Sequence, residues 1–321
     1  MNGVAQWIVL ALALVCPTAC VQAQTFPTGP ISIVVPLAPG DAADISARAM
    51  GEEISRLLNT PVLVVNRPGG GGTLGAYSVV QSAKNGHTIL FAQNSALTFR
   101  AVLDPQSVPY DALRDLVPLG IASRTPSVLV VRSDAPFKTF AELIEYAKKK
   151  PGQVRIGHPG TGSVGDFCVQ LISTLTGAEL VPVPYPGAGP TIAALRGEHI
   201  EGIVSSLGAL STHIKAGTFR GIVTSNRVPE FANIPTMREL GYQDELFGIW
   251  FSFLAPAGTP EDARKVLVGA IEQAVKEPAI TARLAPLSIF QSYAGPEQTA
   301  AEIREEFRRV STMARKTGLV K

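Results

Sequence analysis

Apolar and polar positions along the chain alternate between two periods. Ile31 to Leu37, Val62 to Asn66 and Thr88 to Ala92 are short apolar runs rich in β-branched residues, the pattern of buried strands. Between them, Ile45 to Leu58 and Leu74 to Ser82 repeat apolar residues at helical spacing. This order predicts a parallel sheet with helices on its faces. Val128 to Arg132 reads as another strand, and Thr139 with Glu142 three residues on forms a capping box at the start of a helix. A second alternating block follows. Its strands are Val154 to Gly157, Val181 to Pro184, Ile200 to Ser205 and Gly221 to Thr224; its helices are Asp166 to Thr176, Thr191 to Arg196 and Leu210 to Lys215. Ile249 to Ala255 is a further strand. Thr259 as N-cap, with Pro260 in the first turn, starts a helix. Two more helices are expected at Pro278 to Leu284 and Pro296 to Arg315.

The two blocks predict two α/β lobes. Residues 24–125 begin the first lobe, 126–247 form the second, and 248–321 return to complete the first. The chain then crosses between lobes near Ser123 to Val128 and again near Leu246 to Phe251. Paired crossings make a hinge, which suits closure around a ligand.

Two strand-to-helix turns are rich in glycine. One follows Val35 and contains Pro39-Gly40-Asp41; the other contains Gly160-Thr161-Gly162-Ser163-Val164-Gly165. Each places backbone N–H groups at a helix N-terminus, where the dipole favours negative charge. About 120 residues separate them, too many for one βα unit. Facing each other across a cleft, they would grip a small anion without a catalytic side chain.

Composition narrows the class. With 321 residues, 46% hydrophobic and 17% charged, the chain is long enough for two globular units. A net charge of +2 gives no reason to expect nucleic acid or an anionic membrane surface as partner. The first 23 residues carry no Asp, Glu, Lys or Arg. Trp7 to Cys16 has the length of a signal-peptide core, Pro17 breaks it, and Val21-Gln22-Ala23 offers small residues for a peptidase. Residues 1–23 are therefore read as a signal peptide cleaved after Ala23. The alternatives are a buried N-terminal helix and a lipid anchor on Cys20. Cys16 and Cys20 leave with the leader, so Cys168 stands alone in the mature chain as a small core residue.

Other motifs are weaker. Gly160 to Gly165 is a literal G-x-G-x-x-G, but the next strand ends in Pro184-Tyr185-Pro186 without the acid that would hold a ribose. Gly69-Gly70-Gly71-Gly72 lacks the Lys-Ser/Thr pair of a P-loop and reads better as a connection packed on the sheet than as a direct ligand contact. The four histidines show no metal spacing, and no G-x-S-x-G elbow occurs. Neither a cofactor nor a metal is expected.

In order and spacing, a set of segments resembles the Bug (TctC-type) periplasmic receptors of tripartite tricarboxylate transporters. They are Phe26 to Ile31, Val35 to Gly40 with Asp44 and Arg48, Val65 to Gly69, Val183 to Gly187, Ala216 to Arg220, Ile234 to Gly241, Trp250, and Ala255 to Pro260. The resemblance spans nearly the whole mature chain. It implies a two-lobed type II periplasmic-binding-protein fold, parallel-type sheets flanked by helices, closing on a small carboxylate. By position, it puts Ala38, Pro39, Gly40, Asp41, Gln93, Asn94 and Ser95 of the first lobe at the ligand. From the second lobe it adds Gly160, Thr161, Gly162, Ser163, Val164, Tyr185, Gly187, Ser205 and Ser206. It also implies a periplasmic location, a monomer, a small organic acid as ligand and the membrane components of a tripartite transporter as partners. Three positions depart from the family's usual pattern: Asp41 stands for a Gly, Asp166 for a His and Ser205 for an Asp. An acid at position 41 favours a ligand that also brings an ammonium, amide or hydroxyl. Rival readings are the same trap docking on a signalling partner, and a periplasmic enzyme, for which no catalytic constellation is present.

Overall fold

The computed structural model describes residues 26–320; the expected leader and its cleavage site lie outside them. The chain begins with β1 (Ile31–Val35), α1 (Ala42–Leu58), β2 (Val62–Asn66), α2 (Thr73–Val80), β3 (Thr88–Gln93), α3 (Phe99–Leu103) and β4 (Leu116–Thr125). It continues through β5 (Ser127–Arg132), α4 (Phe140–Lys149), β6 (Val154–His158), α5 (Val164–Thr176), β7 (Leu180–Pro184), α6 (Ala188–Arg196), β8 (Gly202–Ser206), α7 (Leu207–Lys215) and β9 (Phe219–Thr224). The return segment holds β10 (Ile249–Pro256), α8 (Glu261–Lys276), α9 (Pro278–Leu284), β11 (Phe290–Ala294) and α10 (Pro296–Lys316).

Two sheets result. One is six-stranded, ordered β11-β4-β10-β3-β1-β2; the other is five-stranded, ordered β7-β6-β8-β5-β9. The βαβ units pair in parallel as expected, with Ile31 opposite Val62 and Val154 opposite Leu180. The strands that carry the chain between lobes do not. β10 runs antiparallel to β3 and β4, and β5 antiparallel to β8 and β9. A strand that leaves a lobe and one that comes back must point oppositely, so both sheets are mixed.

The strand period sorts the core. In the first lobe Ile31, Ile33, Val35, Ile89, Phe91, Phe251 and Phe253 join one buried cluster, together with Met50, Ile54, Leu267 and Ile271 of α1 and α8. Val34, Leu90, Ala92, Trp250 and Leu254, the alternate positions, join the other with Ala76 and Val79 of α2 and Ile303 of α10. A strand buried on both faces reads as a continuous apolar run, which is why these strands were legible.

Three elements were not anticipated. β4 contains Pro118 and Gly120, which break the strand pattern. The structure accommodates them at irregularities in register, where Phe253 pairs with Gly120 and Leu254 with Pro118. α3 is a short helix, and β11 is an edge strand with Phe290 exposed. Other boundaries shift modestly. α1 starts at Ala42 rather than Ile45, and α8 at Glu261, with Thr259 bonding its hydroxyl back to the Pro256 carbonyl (2.8 Å) instead of capping the helix.

Only Pro126 separates β4 from β5. The Ser127 hydroxyl donates to the Phe247 carbonyl at 2.7 Å, and Ser225 N–H to the Ser127 carbonyl at 2.9 Å, so the two crossings are tied side by side. Phe99 of the first lobe, Phe167 of the second and Phe247 of the return crossing meet edge to face, with centroids 5.2–5.4 Å apart. Among the described residues no helix is long and apolar enough to cross a membrane, and no group of His, Cys, Asp and Glu is placed to hold a metal ion.

Candidate functional site

The two glycine-rich turns are built alike. Gly40, at φ +82°, reverses the chain after β1, and its N–H donates to the Asp44 carboxylate at 3.0 Å. Asp41 caps α1, accepting from Ala43 N–H at 3.1 Å. In the second turn Gly162, at φ +75°, donates to Asp166 at 2.7 Å, and Ser163 caps α5 by accepting from Asp166 N–H at 3.1 Å. In each case the residue after the glycine is the cap, and an acid three residues further on takes the glycine amide, a capping box displaced by one residue.

This arrangement corrects the simple anion-cradle expectation. Gly40, Ala43 and Gly162 spend their N–H groups on the protein's own side chains. The first helix end is already faced by the Asp41 carboxylate; at the second, the cap is a neutral hydroxyl and neither cap takes the Val164 and Gly165 amides. Both helix N-termini are thus faced by the protein's own carboxylates, Asp41 and Asp44 at α1 and Asp166 at α5; what differs is the cap, charged at Asp41 and neutral at Ser163.

Electrostatics follow. Burial pushes the Asp44 carboxyl up, but the Arg48 guanidinium, the Gly40 amide and the Asn66 amide together hold it below its ordinary value. Asn66 also donates to the Leu37 carbonyl at 3.0 Å, locking the turn to the end of β2. Among the described residues no cation lies beside Asp41. Burial raises its carboxyl to about 6, aided by the Asp44 charge and opposed by the Ala43 and Ala42 amides. Burial lowers the pKa of His158 against the pull of Asp166, and its Nδ1 lies 2.9 Å from the Gly160 carbonyl.

The lobes touch around these turns. A Cβ added to Gly187 would stand 2.9 Å from the Ala38 methyl, one on Gly208 3.1 Å from Ala42, and one on Gly71 2.5 Å from the Thr161 carbonyl oxygen. The lobes are thus in contact here, against the Thr161 backbone at Gly71 and against the Ala38 methyl at Gly187, and only glycine fits at either position. Asp41 lies between Ala38 and Ala42, both of which meet the second lobe.

Of the sequence-derived candidates, Asp41, Gln93, Asn94, Ser95, Gly162, Ser163, Val164, Gly187, Ser205 and Ser206 are buried. Ala38, Gly160 and Tyr185 are half-buried, while Pro39, Gly40 and Thr161 are exposed and sit at the rim. Ser206 caps α7 by accepting from Ala209 N–H at 3.3 Å. Two hydroxyls of this set stand out: Ser95 and Ser205, 0% and 1% exposed, whose Oγ atoms have no hydrogen-bond partner among the described residues. Ser95 follows β3 and Ser205 is the penultimate residue of β8, so both lie at C-terminal strand ends, one in each lobe, where open α/β sheets bind ligands. A buried hydroxyl without a partner costs about 1–3 kcal/mol, and a ligand that bonds it removes that cost.

Two contact residues were missed. Gly71 approaches the second turn across the cleft. Arg100 of α3 packs on Gly162 and has a buried guanidinium nitrogen without a partner, although the same group pairs with Asp104 at 2.7 Å. In the sequence the glycine run reads as sheet packing, which Gly75 does fulfil: a Cβ there would lie 2.7 Å from Pro36. Nothing local marks Arg100.

This geometry defines a two-lobed binding protein of the type II class. The match to known proteins is specific: residues 46–319 fit the tripartite tricarboxylate transporter family receptor (TctC) model, and the chain belongs to that family. It is 33% identical to protein BugT of Bordetella pertussis, over 94% of this chain and 93% of that one. Among solved structures it is similar to the periplasmic binding protein BugD (TM-score 0.87, 26% identity, 92% and 99% of the two chains covered). It is also similar to an R. palustris protein with adipate (0.87, 25%, 91% and 98%) and to MatC of Rhodopseudomonas palustris with bound malate (0.84, 27%, 90% and 99%). These family members and structural neighbours are binding proteins, not enzymes.

Proposed function

We propose that the chain is an exported solute-binding receptor, cleaved after Ala23, that traps a small organic acid between its lobes and delivers it to the membrane components of a tripartite transporter. The observation that carries the capture step is the pair of buried, unpartnered hydroxyls, Ser95 and Ser205, one beside each glycine-rich turn. The caps of the two turns differ in charge, the Asp41 carboxylate against the neutral Ser163 hydroxyl. Val164 and Gly165 offer amides at a helix N-terminus, while Asp41 offers an acceptor. An acid that also carries a hydroxyl or ammonium matches both, with its carboxylate toward the second lobe and its donor toward Asp41. The carboxylates in the adipate and malate structures of its neighbours support the acid half of this reading.

A thermal-shift screen of hydroxy acids, amino acids, plain dicarboxylates and aromatic acids tests it. A true ligand at a hundredfold excess over Kd stabilises the native state by about 2.7 kcal/mol, a rise of roughly 5 °C for a chain this long. NAD and ATP should give none. A nucleotide hit with no acid hit would overturn the assignment.

A further inference from the structure

Glu306 lies on α10, outside every motif the sequence brings forward, and is 5% exposed. Its Oε1 accepts from the Asn94 side-chain amide at 2.8 Å and from the Trp250 indole N–H at 3.0 Å; its Oε2 lies 2.8 Å from the Thr98 hydroxyl, whose one proton serves either this oxygen or the Asn94 carbonyl at 2.9 Å. Asn94 also donates to the Gly248 carbonyl at 3.1 Å, in the return crossing. One carboxylate thus joins the Asn94–Ser95 turn, the start of β10 and the hinge.

The bonding has a direction. The indole N–H is donor-only, so it keeps an acceptor oxygen at that point. The Asn94 amide must then turn its NH₂ group to Glu306, leaving Asn94 Oδ1 buried and unpartnered. The neighbouring Ser95 Oγ is unpartnered too. We propose that Glu306 is a positioning residue: it holds the Asn94–Ser95 turn in the orientation that offers these groups to a ligand, and ties that turn to the hinge. This rests on the receptor reading for what the turn contacts, and on the hydrogen bonds alone for how the turn is held.

Glutamine can take the same place. Its oxygen would accept from Asn94 and Trp250, and its NH₂ would donate to the Thr98 hydroxyl, whose own proton would then go to the Asn94 carbonyl 2.9 Å away. Alanine can do neither. The experiment compares Glu306→Ala, Glu306→Gln and a control, Val310→Ala, a fully buried apolar site on the same helix. Two readouts are taken on the full mature chain: hydrogen exchange of residues 93–99, and calorimetric titration with malate and with adipate as probes.

The expected result is faster exchange across that segment in Glu306→Ala. Any probe the wild type binds should bind about tenfold weaker or worse, the factor for one lost hydrogen bond to a charged group. Glu306→Gln should restore both. Val310→Ala should melt lower yet change neither. Exchange in Glu306→Ala no faster than in Val310→Ala, or no rescue by glutamine, overturns the inference. If the wild type binds neither probe, the exchange arm still decides it. If it binds no acid in the wider screen either, the receptor reading fails separately.

Discussion

Asp41→Asn isolates the energetic role of the carboxylate at the first turn. Asparagine caps a helix as well as aspartate does, so the bond from Ala43 survives and only the charge is lost. The side chain is 3% exposed with no cation beside it among the described residues, and its carboxyl is raised from 3.8 to about 6. At 1.36 kcal/mol per pKa unit, carrying the charge costs the native state about 3 kcal/mol. The sign follows from linkage. Below pH 3.8 the carboxyl is neutral in both folded and unfolded chains, and nothing is lost. As pH rises from there through 6, the unfolded chain gives up the proton that the native state retains, and wild-type stability falls. Asp41→Asn should therefore equal the wild type near pH 3.5 and exceed it by up to about 3 kcal/mol at pH 8, roughly 6 °C in Tm. Paired denaturation curves from pH 3.5 to 8 measure the difference. The ion-paired Asp44, whose stabilisation is lost toward acid, is common to both proteins and cancels. A difference independent of pH, or an Asn variant less stable at pH 8, refutes the reasoning.

Bound ligand should reverse that gain. If the ligand's hydroxyl or ammonium meets Asp41, both Asp41→Asn and Asp41→Gly lose about 1.5–3 kcal/mol of binding, the range for a charge-assisted hydrogen bond. Unchanged affinity in both removes Asp41 from ligand recognition and leaves it as a cap.

Gly71→Ala places a methyl 2.5 Å from the Thr161 carbonyl oxygen, so it should weaken ligand binding and enlarge the radius of gyration of the liganded protein in solution scattering; normal values for both would show that the lobes need not approach this closely. Cys168 is fully buried with its thiol pushed up to about 11 by burial, so iodoacetamide should leave the native protein unlabelled at pH 7 and modify it on unfolding; fast native labelling contradicts that burial. Intact mass of the exported form should correspond to a chain starting at Gln24, and a lipid on Cys20 or a full-length mass would defeat the cleavage assignment.

The sequence by itself determined the βα alternation, because strands buried on both faces leave apolar runs such as Ile89 to Ala92, and helices packed on a sheet leave a periodic stripe. It also determined the two glycine-rich turns, since a glycine followed by a capping residue marks the start of a helix after each strand. Most of the candidate site is adjacent to those turns and was legible for that reason. Local pattern could not show β4, whose Pro118 and Gly120 sit where its pairing with β10 shifts register and Leu119 and Ala122 are passed over, nor the antiparallel direction of the crossing strands. Only the tertiary structure decided which amides the turns keep for themselves, that Gly71 and Arg100 reach across to the second lobe, and that Glu306, more than 200 residues from Asn94, sets the orientation of its amide. These are contacts between elements distant in sequence. Each residue's neighbours are chosen by packing, and packing leaves no periodic mark in the chain.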